Sequence, residues 1–195
     1  LYKVSFPAEF HAQTAAEAAI SISKHLKGKL EEIEEILIST QEPGVRIISK
    51  NGPLTNYADR DHCIEYIVAW CLINGNLDSN SYSNEAASDE NIDVLRNITK
   101  TIEDKKYTEK YYDLNERAIP NKVTVKLKSG EIFEEEVLYP LGHKERRDES
   151  KPFLREKFCK SIENKDFDIA KLISFYDEND LDSINIYDLL DKIYK

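Results

Sequence analysis

The chain has 195 residues, of which 41% are hydrophobic and 33% charged, and its formal net charge at pH 7 is −10. This composition is typical of a globular protein with a buried core and excludes an intrinsically disordered chain. The negative charge argues against a nucleic-acid partner, because little here could neutralise a phosphate backbone. The sequence also predicts no membrane partner, since no apolar run approaches the roughly 20 residues that a membrane-spanning helix needs.

The cysteine pattern gives no sign of a metal or cluster. Three cysteines are present, Cys63, Cys71 and Cys159, and none forms a C-x-x-C pair. This spacing speaks against a zinc ribbon and gives no support to an iron–sulfur cluster. Cys63 and Cys71 fall in an apolar-periodic segment, so we expect buried free thiols. No cofactor is predicted.

The first elements read as strand, helix and strand. Tyr2–Phe6 alternates like a strand, and His11–Leu26 carries a stripe of small residues at helical spacing that ends at Gly28. An alanine-rich face allows close backbone approach, so this helix is expected to pack tightly on a sheet or on another helix. Ile33–Thr40 is a second strand, and Val45–Ser49 has no clear assignment.

The central stretch, residues 52–66, reads GPLTNYADRDHCIEY and leads into apolar residues at helical offsets. We predict one helix through Leu72, with Asn56 or Asp59 as its N-cap. A helix that begins near Asp59 would place His62 and Tyr66 one turn apart on the same side. Titratable groups at a helix N-terminus favour a proton-transfer or anion-binding site. An ordinary capped helix with a solvated first turn is the alternative.

The second half of the chain contains the clearest hairpin. Asp89–Ile102 is predicted to be helical, and Lys105–Arg117 reads as a charged surface connection. Val123–Leu127 and Ile132–Tyr139 alternate around a Ser-Gly turn and predict a β-hairpin. Three successive glutamates, residues 134–136, indicate an exposed sheet edge.

The strands end before the last 45 or so residues. From Pro152 onward the pattern is helical, with helices predicted over Phe153–Ile162, Ile169–Tyr176 and Ile184–Tyr194. The sequence therefore predicts an α+β fold with a small mixed sheet and packed helices in residues 1–150. A helical C-terminal tail, residues 151–195, is expected to dock on something else.

Two groups of residues could carry acid–base chemistry. Lys3 and His11 bracket the first strand-to-helix junction, where they could bind a carboxylate and move a proton. A surface lysine and a helix-capping histidine are the alternative. Arg60 could clamp a carboxylate while Asp61 and His62 act as base and acid.

Three motifs, in order along the chain, resemble the MmgE/PrpD family. The first is residues 2–18, YKVSFPAEFHAQTAAEA, and the second is the central stretch 52–66. The third is Tyr139-Pro-Leu-Gly-His143 with Arg146-Arg147 after the hairpin. The similarity covers nearly the whole chain, and the last 35 residues or so are the least distinctive part of it. Glu65 departs from the pattern, which has glutamine there, and adds a carboxylate near the expected site.

The resemblance implies a metal-independent lyase that removes water from 2-methylcitrate, a tricarboxylate, in the route that oxidises propionate. Family members combine a large helical domain with a smaller α+β lid, and the active site lies between the two. This chain would be the lid plus C-terminal helices. The N-terminal helical portion would be missing, in agreement with a start at Leu1 rather than Met. A homodimer is expected for the full-length protein.

The resemblance also implies roles for matching residues. His11 would transfer a proton, and Lys3 would bind a carboxylate or act as the acid partner. Arg60 would clamp a carboxylate, with Asp61, His62 and Tyr66 at the site. Which histidine is the base stays open.

Other readings are kept beside this one. Decarboxylation of cis-aconitate and epimerisation of an amino-dicarboxylate are activities of the same family. The chain could also be a non-catalytic module, because half of an interdomain site can fold without turnover. A cytoplasmic location is expected, with the mitochondrial matrix as the alternative.

Overall fold

The computed structural model describes residues 3–162 together with 173, 174, 177, 185, 187 and 190. The chain divides into two compact units, residues 1–146 and 147–195. The candidate site residues named above all lie in the first unit.

The first unit is built on a small mixed sheet. Its strands are β1 (Ile33–Thr40), β2 (Thr99–Glu103), β3 (Asn121–Leu127) and β4 (Ile132–Val137), in the spatial order β2-β1-β3-β4. β2 runs parallel to β1, whereas β1 with β3 and β3 with β4 are antiparallel. Together with the helices below, this sheet confirms the predicted α+β class.

The central strands form because their side chains alternate. In β3, Val123, Val125 and Leu127 are fully buried. Between them, Lys122 and Lys126 point to the other face and form ion pairs with Glu134 and Glu34 at 2.8 and 2.9 Å. One face is therefore core and the other is solvated, as a period of two requires.

The helices of the first unit cover the apolar face of the sheet. The helix α1 (Gln13–Ser23) contacts β3 and β4 and also packs against α4 (Ile64–Asn74). Ala15, Ala16 and Ala19 are fully buried, so the small-residue stripe is confirmed as a close-packing surface. The helices are α1 (Gln13–Ser23), α2 (Glu42–Ile48), α3 (Tyr57–Asp61), α4 (Ile64–Asn74), α5 (Glu90–Asn97) and α6 (Lys105–Tyr112).

The predicted hairpin is confirmed. Gly130 has φ +89°, the left-handed conformation that glycine adopts without strain, and it closes the turn between β3 and β4. β4 lies at the edge of the sheet, and its charged glutamates disfavour pairing of this edge with another chain.

The predicted strand at the start is wrong. Lys3–Phe6 pairs with no strand in the described structure, although Val4 is buried. Gln13 holds the following segment instead, because its Nε2 donates to the carbonyls of Phe6 and Ala8, both at 2.8 Å. Alternation alone cannot supply the neighbouring strand that a ladder needs.

The prediction for the second half of the chain is wrong in two places. The helix expected over 89–102 ends at Asn97, and Thr99–Glu103 is the edge strand β2. This strand exposes Ile102 and otherwise consists of polar residues, so it lacks the apolar signal of a buried strand. The connection after it contains the helix α6, and the unassigned residues 45–48 belong to α2.

The central stretch forms two helices rather than one. Asn56 is confirmed as an N-cap, since its side chain accepts a hydrogen bond from Asp59 N at 3.0 Å. The helix α3 then ends at Asp61, and Cys63 adopts an extended backbone before α4 begins. His62 and Tyr66 therefore do not share one helical face, and that prediction is wrong.

The second unit begins with the helix α7 (Arg147–Ile162), which confirms a helical start to the tail. It begins earlier than predicted and contains Pro152. The other two predicted tail helices fall largely outside the described residues. Among the described helices, none is both long and apolar enough to cross a membrane.

Candidate active site

Two segments far apart in sequence meet at the candidate site. The backbone N–H of Glu9 donates a hydrogen bond to the carbonyl oxygen of Asp61 at 3.1 Å. This contact places the turn that carries His11 beside the end of α3, where Asp61 and His62 lie. The structure therefore brings together two of the histidines that the sequence suggested.

The first residue of β3 holds the backbone of His11 by a hydrogen bond. His11 lies in a 3-10 turn, Phe10–Ala12, that leads into α1. Asn121 is the first residue of β3 and is fully buried. Its amide nitrogen donates to His11 O at 2.7 Å and to Thr14 Oγ1 at 2.6 Å. The imidazole thus projects from a fixed frame rather than from a loose loop.

Glu9 grips His11 through both side chain and main chain. Glu9 Oε2 accepts from His11 N at 2.7 Å, and the carboxylate oxygens lie 2.8 and 2.9 Å from His11 Nδ1. On the opposite edge of the ring, Nε2 lies 3.2 Å from the hydroxyl of Tyr111. Both Glu9 and His11 are mostly buried, with side-chain exposures of 16% and 12%. Such a pair stabilises an imidazolium as it forms.

The carboxyl of Glu9 is held in its charged form. Burial opposes ionisation, but the hydrogen bonds that Glu9 accepts from His11, together with the charge that His11 carries when it is protonated, outweigh burial and hold the pKa of Glu9 below its ordinary value. His62 adds a smaller effect in the same direction, which agrees with its nearness.

A pH dependence follows from this lowered pKa. Glu9→Gln is expected to lower the free energy of unfolding near neutral pH by about 1 kcal/mol. The contribution of Glu9 is present above its unfolded pKa and is lost as pH falls through the lower folded pKa, so the difference should vanish in strong acid. Urea unfolding of the wild type and of Glu9→Gln, near neutral pH and in strong acid, measures this difference in stability. An equal loss at both would contradict a charged Glu9 in the fold.

Asp61 and His62 form a second carboxylate–imidazole pair. His62 Nδ1 lies 2.5 Å from Asp61 Oδ1, and the imidazole is 49% exposed. The two pairs differ in environment, because solvent reaches His62 far more than His11. Adjacent acid–base pairs in unlike surroundings are a common arrangement for splitting proton donation and acceptance between two groups.

Lys3 is exposed next to the same turn. Its ammonium lies 5.3 Å from the centre of the Phe10 ring, a cation–π distance. Phe10 precedes His11, so the structure keeps this cation near the turn that the sequence assigned to it.

Arg60 is buried and engaged with the protein. It is 6% exposed, and its Nη1 donates to Tyr82 O at 2.7 Å and to Asn84 Oδ1 at 3.0 Å. These bonds tie α3 to the segment 78–84. Contact of Arg60 with a substrate carboxylate stays a prediction.

Tyr66 also points to that segment. Its hydroxyl donates to Ser81 O at 2.7 Å, and the residue is 2% exposed. Burial raises the pKa of the phenol to about 12, against the smaller opposing effect of Arg60. A role for Tyr66 in lining a substrate site stays a prediction as well.

Tyr66→Phe tests this bond. The loss of the hydroxyl leaves Ser81 O without its donor and is expected to lower stability by about 1 kcal/mol at neutral pH. The folded phenol has a raised pKa, so its contribution is present below the unfolded pKa and is lost as pH rises towards about 12. Urea unfolding should therefore show the two proteins converging at alkaline pH. A constant difference would count against burial of the phenol.

Glu65 does not add a free carboxylate to the site. It is 3% exposed, and it accepts hydrogen bonds from the Ser49 hydroxyl at 2.6 Å, Lys50 N at 3.1 Å and the Thr101 hydroxyl at 2.6 Å. The carboxylate therefore joins the end of α2 to β2 through α4. Its hydrogen bonds lead away from Glu9 and His11.

Three further titratable groups, His143, Cys63 and Cys71, are buried in the fold. His143 is buried against Tyr139, with ring centres 4.7 Å apart, and desolvation lowers its pKa. Cys63 and Cys71 are buried free thiols, as predicted, and burial raises the pKa of Cys63 to about 11. Within residues 3–162 and the six further described positions, no three His, Cys, Asp or Glu side chains are grouped as metal ligands.

A polar cleft of about 330 Å³ lies elsewhere in the same unit. It is bordered by Lys50, Gly52 and Arg96, and Arg96 closes one wall by donating to Gly52 O at 2.8 Å. Thr99, at the first residue of β2, also lines it. The opposite end of β2, its last residue, lies at the end of the sheet where Asn121 holds His11. The cleft is therefore separate from the histidine pairs.

Two residues that contact the His11 ring, Glu9 and Tyr111, are not among the site residues predicted from the sequence. Glu9 stands two residues before His11, a spacing at which a carboxylate can cap the turn and reach the ring, and that signal was available. Tyr111 is 100 positions away in a segment that looked like a surface connection. No local pattern could have indicated its contact.

Comparison with known proteins agrees with the motifs. The MmgE/PrpD C-terminal domain matches residues 6–165. A protein of Yarrowia lipolytica named 2-methylcitrate dehydratase, mitochondrial, is 50% identical over 166 residues, which are 83% of this chain and 32% of that protein.

Two bacterial proteins named 2-methylcitrate dehydratase are also similar. The one from Escherichia coli K12 is 46% identical, covering 81% of this chain and 34% of its own length. The one from Salmonella typhimurium is 48% identical with the same coverage, 81% and 34%. The chain thus spans about a third of the length of the relatives that it matches.

Proposed function

The chain belongs to the MmgE/PrpD family, and from this premise we propose that it is part of a hydro-lyase that converts 2-methylcitrate to 2-methyl-cis-aconitate. The single observation that carries the proposal is the meeting of the Glu9–His11 pair with the Asp61–His62 pair through the Glu9–Asp61 backbone hydrogen bond. The names of the similar proteins supply the substrate.

Dehydration needs a base and an acid in one place. The base takes a proton from the carbon next to a carboxylate, the electron pair of that C–H bond becomes the new double bond, and the C–O bond breaks. The hydroxyl leaves as water once an acid protonates it. In this proposal His11, hydrogen-bonded to Glu9, would be the base, and His62 or Lys3 would be the acid. This scheme uses side chains alone.

A tricarboxylate needs local cations, because the net charge of −10 repels it. Lys3 is the exposed cation beside His11, and we assign it to a substrate carboxylate. Asp61 orients His62. Arg60 and Tyr66 complete the proposed set: Arg60 would hold a substrate carboxylate directly, and Tyr66 would line the site.

The proposal extends to the rest of the protein. Because the chain spans about a third of its relatives, a helical portion outside the chain would supply the other wall of the site. The tail, residues 151–195, would dock on that portion, and the complete protein would be a homodimer in propionate oxidation. The 195-residue chain by itself is expected to have little or no activity, because turnover needs all the groups in place.

A chimera tests the proposal. Residues 1–165, which contain Lys3 and the whole family match over residues 6–165, would replace the corresponding segment of the Escherichia coli K12 relative. The rise in ultraviolet absorbance from the conjugated product would report turnover of 2-methylcitrate. The unaltered relative and the isolated chain are the two controls.

Each outcome of that assay is decisive. Turnover by the chimera, and none by the isolated chain, supports the proposal. Loss of absorbance with cis-aconitate instead would point to the decarboxylase activity. A folded chimera that acts on neither would favour epimerisation of an amino-dicarboxylate or a non-catalytic module.

For location, we propose the cytoplasm, with the mitochondrial matrix as the alternative that the name of the Yarrowia lipolytica relative suggests. Fractionation of cells that carry the full-length tagged protein distinguishes the two.

A further inference from the structure

We propose that Glu9 is a positioning residue that fixes the neutral imidazole of His11 in the tautomer with the proton on Nδ1, which leaves Nε2 as the proton acceptor facing Tyr111. Its catalytic consequence rests on the proposed function. The tautomer itself does not, because it is a property of the folded chain.

The hydrogen bonds of Glu9 determine this tautomer. An ionised carboxylate can only accept, so a ring nitrogen at 2.8 and 2.9 Å from its two oxygens must carry the proton. Neutral imidazole has one N–H, so Nε2 then holds the lone pair. The hydrogen bond from His11 N to Glu9 Oε2 at 2.7 Å also holds the carboxylate, so the carboxylate stays beside the ring.

Tyr111 supports the same assignment from the other side. Its hydroxyl lies 3.2 Å from Nε2, and the two rings are 5.6 Å apart at 35°. Burial raises the pKa of the Tyr111 phenol above its ordinary value, so the phenol keeps its proton and can donate it to the Nε2 lone pair. Glu9 and Tyr111 thus satisfy opposite edges of one ring.

The frame around the pair makes the placement rigid. The Glu9 N–H is used by Asp61 O, and the His11 carbonyl accepts from the buried amide of Asn121. A shift of the backbone that carries Glu9 and His11 would therefore break bonds to α3 and β3 as well. The Asp61–His62 pair is more open to solvent, since its imidazole is half exposed, and it provides a comparison within the same molecule.

The consequence concerns the direction of proton transfer. A substrate that displaces the Tyr111 hydroxyl meets an unprotonated Nε2, which can take a proton from carbon. The imidazolium formed is then stabilised by the Glu9 carboxylate on Nδ1. Without Glu9, the ring could present Nε2–H to the substrate and could not act as the base.

Nitrogen NMR of the 195-residue chain labelled with ¹⁵N-histidine tests the tautomer without any activity assay. His11 is assigned as the signal that disappears in His11→Asn. At a pH where the ring is neutral, we expect the Nδ1–H pattern in the wild type and its loss in Glu9→Ala, because alanine, unlike glutamine, leaves no side-chain acceptor for Nδ1–H. The matched control, Asp61→Asn, should alter His62 and leave the His11 pattern unchanged. An Nε2–H pattern in the wild type, or no change in Glu9→Ala, overturns the proposal.

A second measurement tests the catalytic consequence in the chimera. Glu9→Gln is expected to lower kcat by about 10²-fold with little change in KM, whereas Glu90→Gln, at an exposed position of α5, should leave both unchanged. Unchanged kcat in Glu9→Gln would overturn the catalytic consequence. An inactive parent chimera defeats the proposed function alone, because the NMR result decides the tautomer independently.

Discussion

His11→Asn in the chimera is expected to lower turnover of 2-methylcitrate by about 10³-fold, which is the middle of the range for loss of a general base. The reason is that asparagine keeps a polar group near Nδ1 and can still bond to Glu9, but it cannot take up a proton at the position of Nε2. Because the main chain of His11 is held by Asn121, the fold around it should survive. Steady-state kinetics and thermal unfolding of the variant measure the two effects separately.

The control for this substitution is His25→Asn. His25 is exposed and stacks on Phe133 at 5.7 Å, away from both carboxylate–imidazole pairs. Its replacement should leave kcat and KM unchanged. If both His11→Asn and His25→Asn retained the turnover of the parent, His11 would not be the base. His62 would then be the imidazole left at the site for that role.

Arg60→Ala is expected to lower the free energy of unfolding by about 3 kcal/mol, since hydrogen bonds from a charged donor are strong and their loss leaves a buried acceptor unpaired. The acceptors are Tyr82 O and Asn84 Oδ1. Hydrogen exchange should accelerate in residues 78–84, which the guanidinium ties to α3. Urea unfolding and exchange mass spectrometry of the 195-residue chain provide both readouts.

Arg46→Ala is the matched control, because Arg46 forms an exposed i,i+4 pair with Glu42 and should contribute almost nothing. Wild-type stability in Arg60→Ala would contradict the anchoring role. A raised KM in an Arg60→Lys chimera of normal stability would then favour the carboxylate clamp that the sequence predicted.

Some elements of the fold could be predicted from the sequence and others could not. The hairpin around Gly130 could be predicted because alternation and turn chemistry are both local. The edge strand β2 could not, because it has a single large apolar residue, Ile102, and owes its conformation to pairing with β1. Ile102 continues the helical spacing of Ile92, Leu95 and Ile98, so the pattern predicts a helix where the strand lies.

The candidate site divides in the same way. His11, Asp61 and His62 could be chosen from the sequence, because their residue types carry proton chemistry and their motifs resemble a family. Their relative placement could not be predicted, since it depends on a hydrogen bond between Glu9 and Asp61, which are 52 positions apart in the chain. The burial of Arg60 and Tyr66 under residues 78–84 is likewise set by contacts that no periodicity reports.

By itself, the sequence determined the α+β class, the close-packed helix α1, the hairpin and the family. Each of these follows from side-chain period, turn residues or long motifs, which act within a few residues of chain. Only the tertiary structure decided the break between α3 and α4, the strand β2 and the pairing of His11 with both Glu9 and Tyr111. The physical reason is that a hydrogen bond or a strand pair is completed by its partner, and here the partners come from distant parts of the chain.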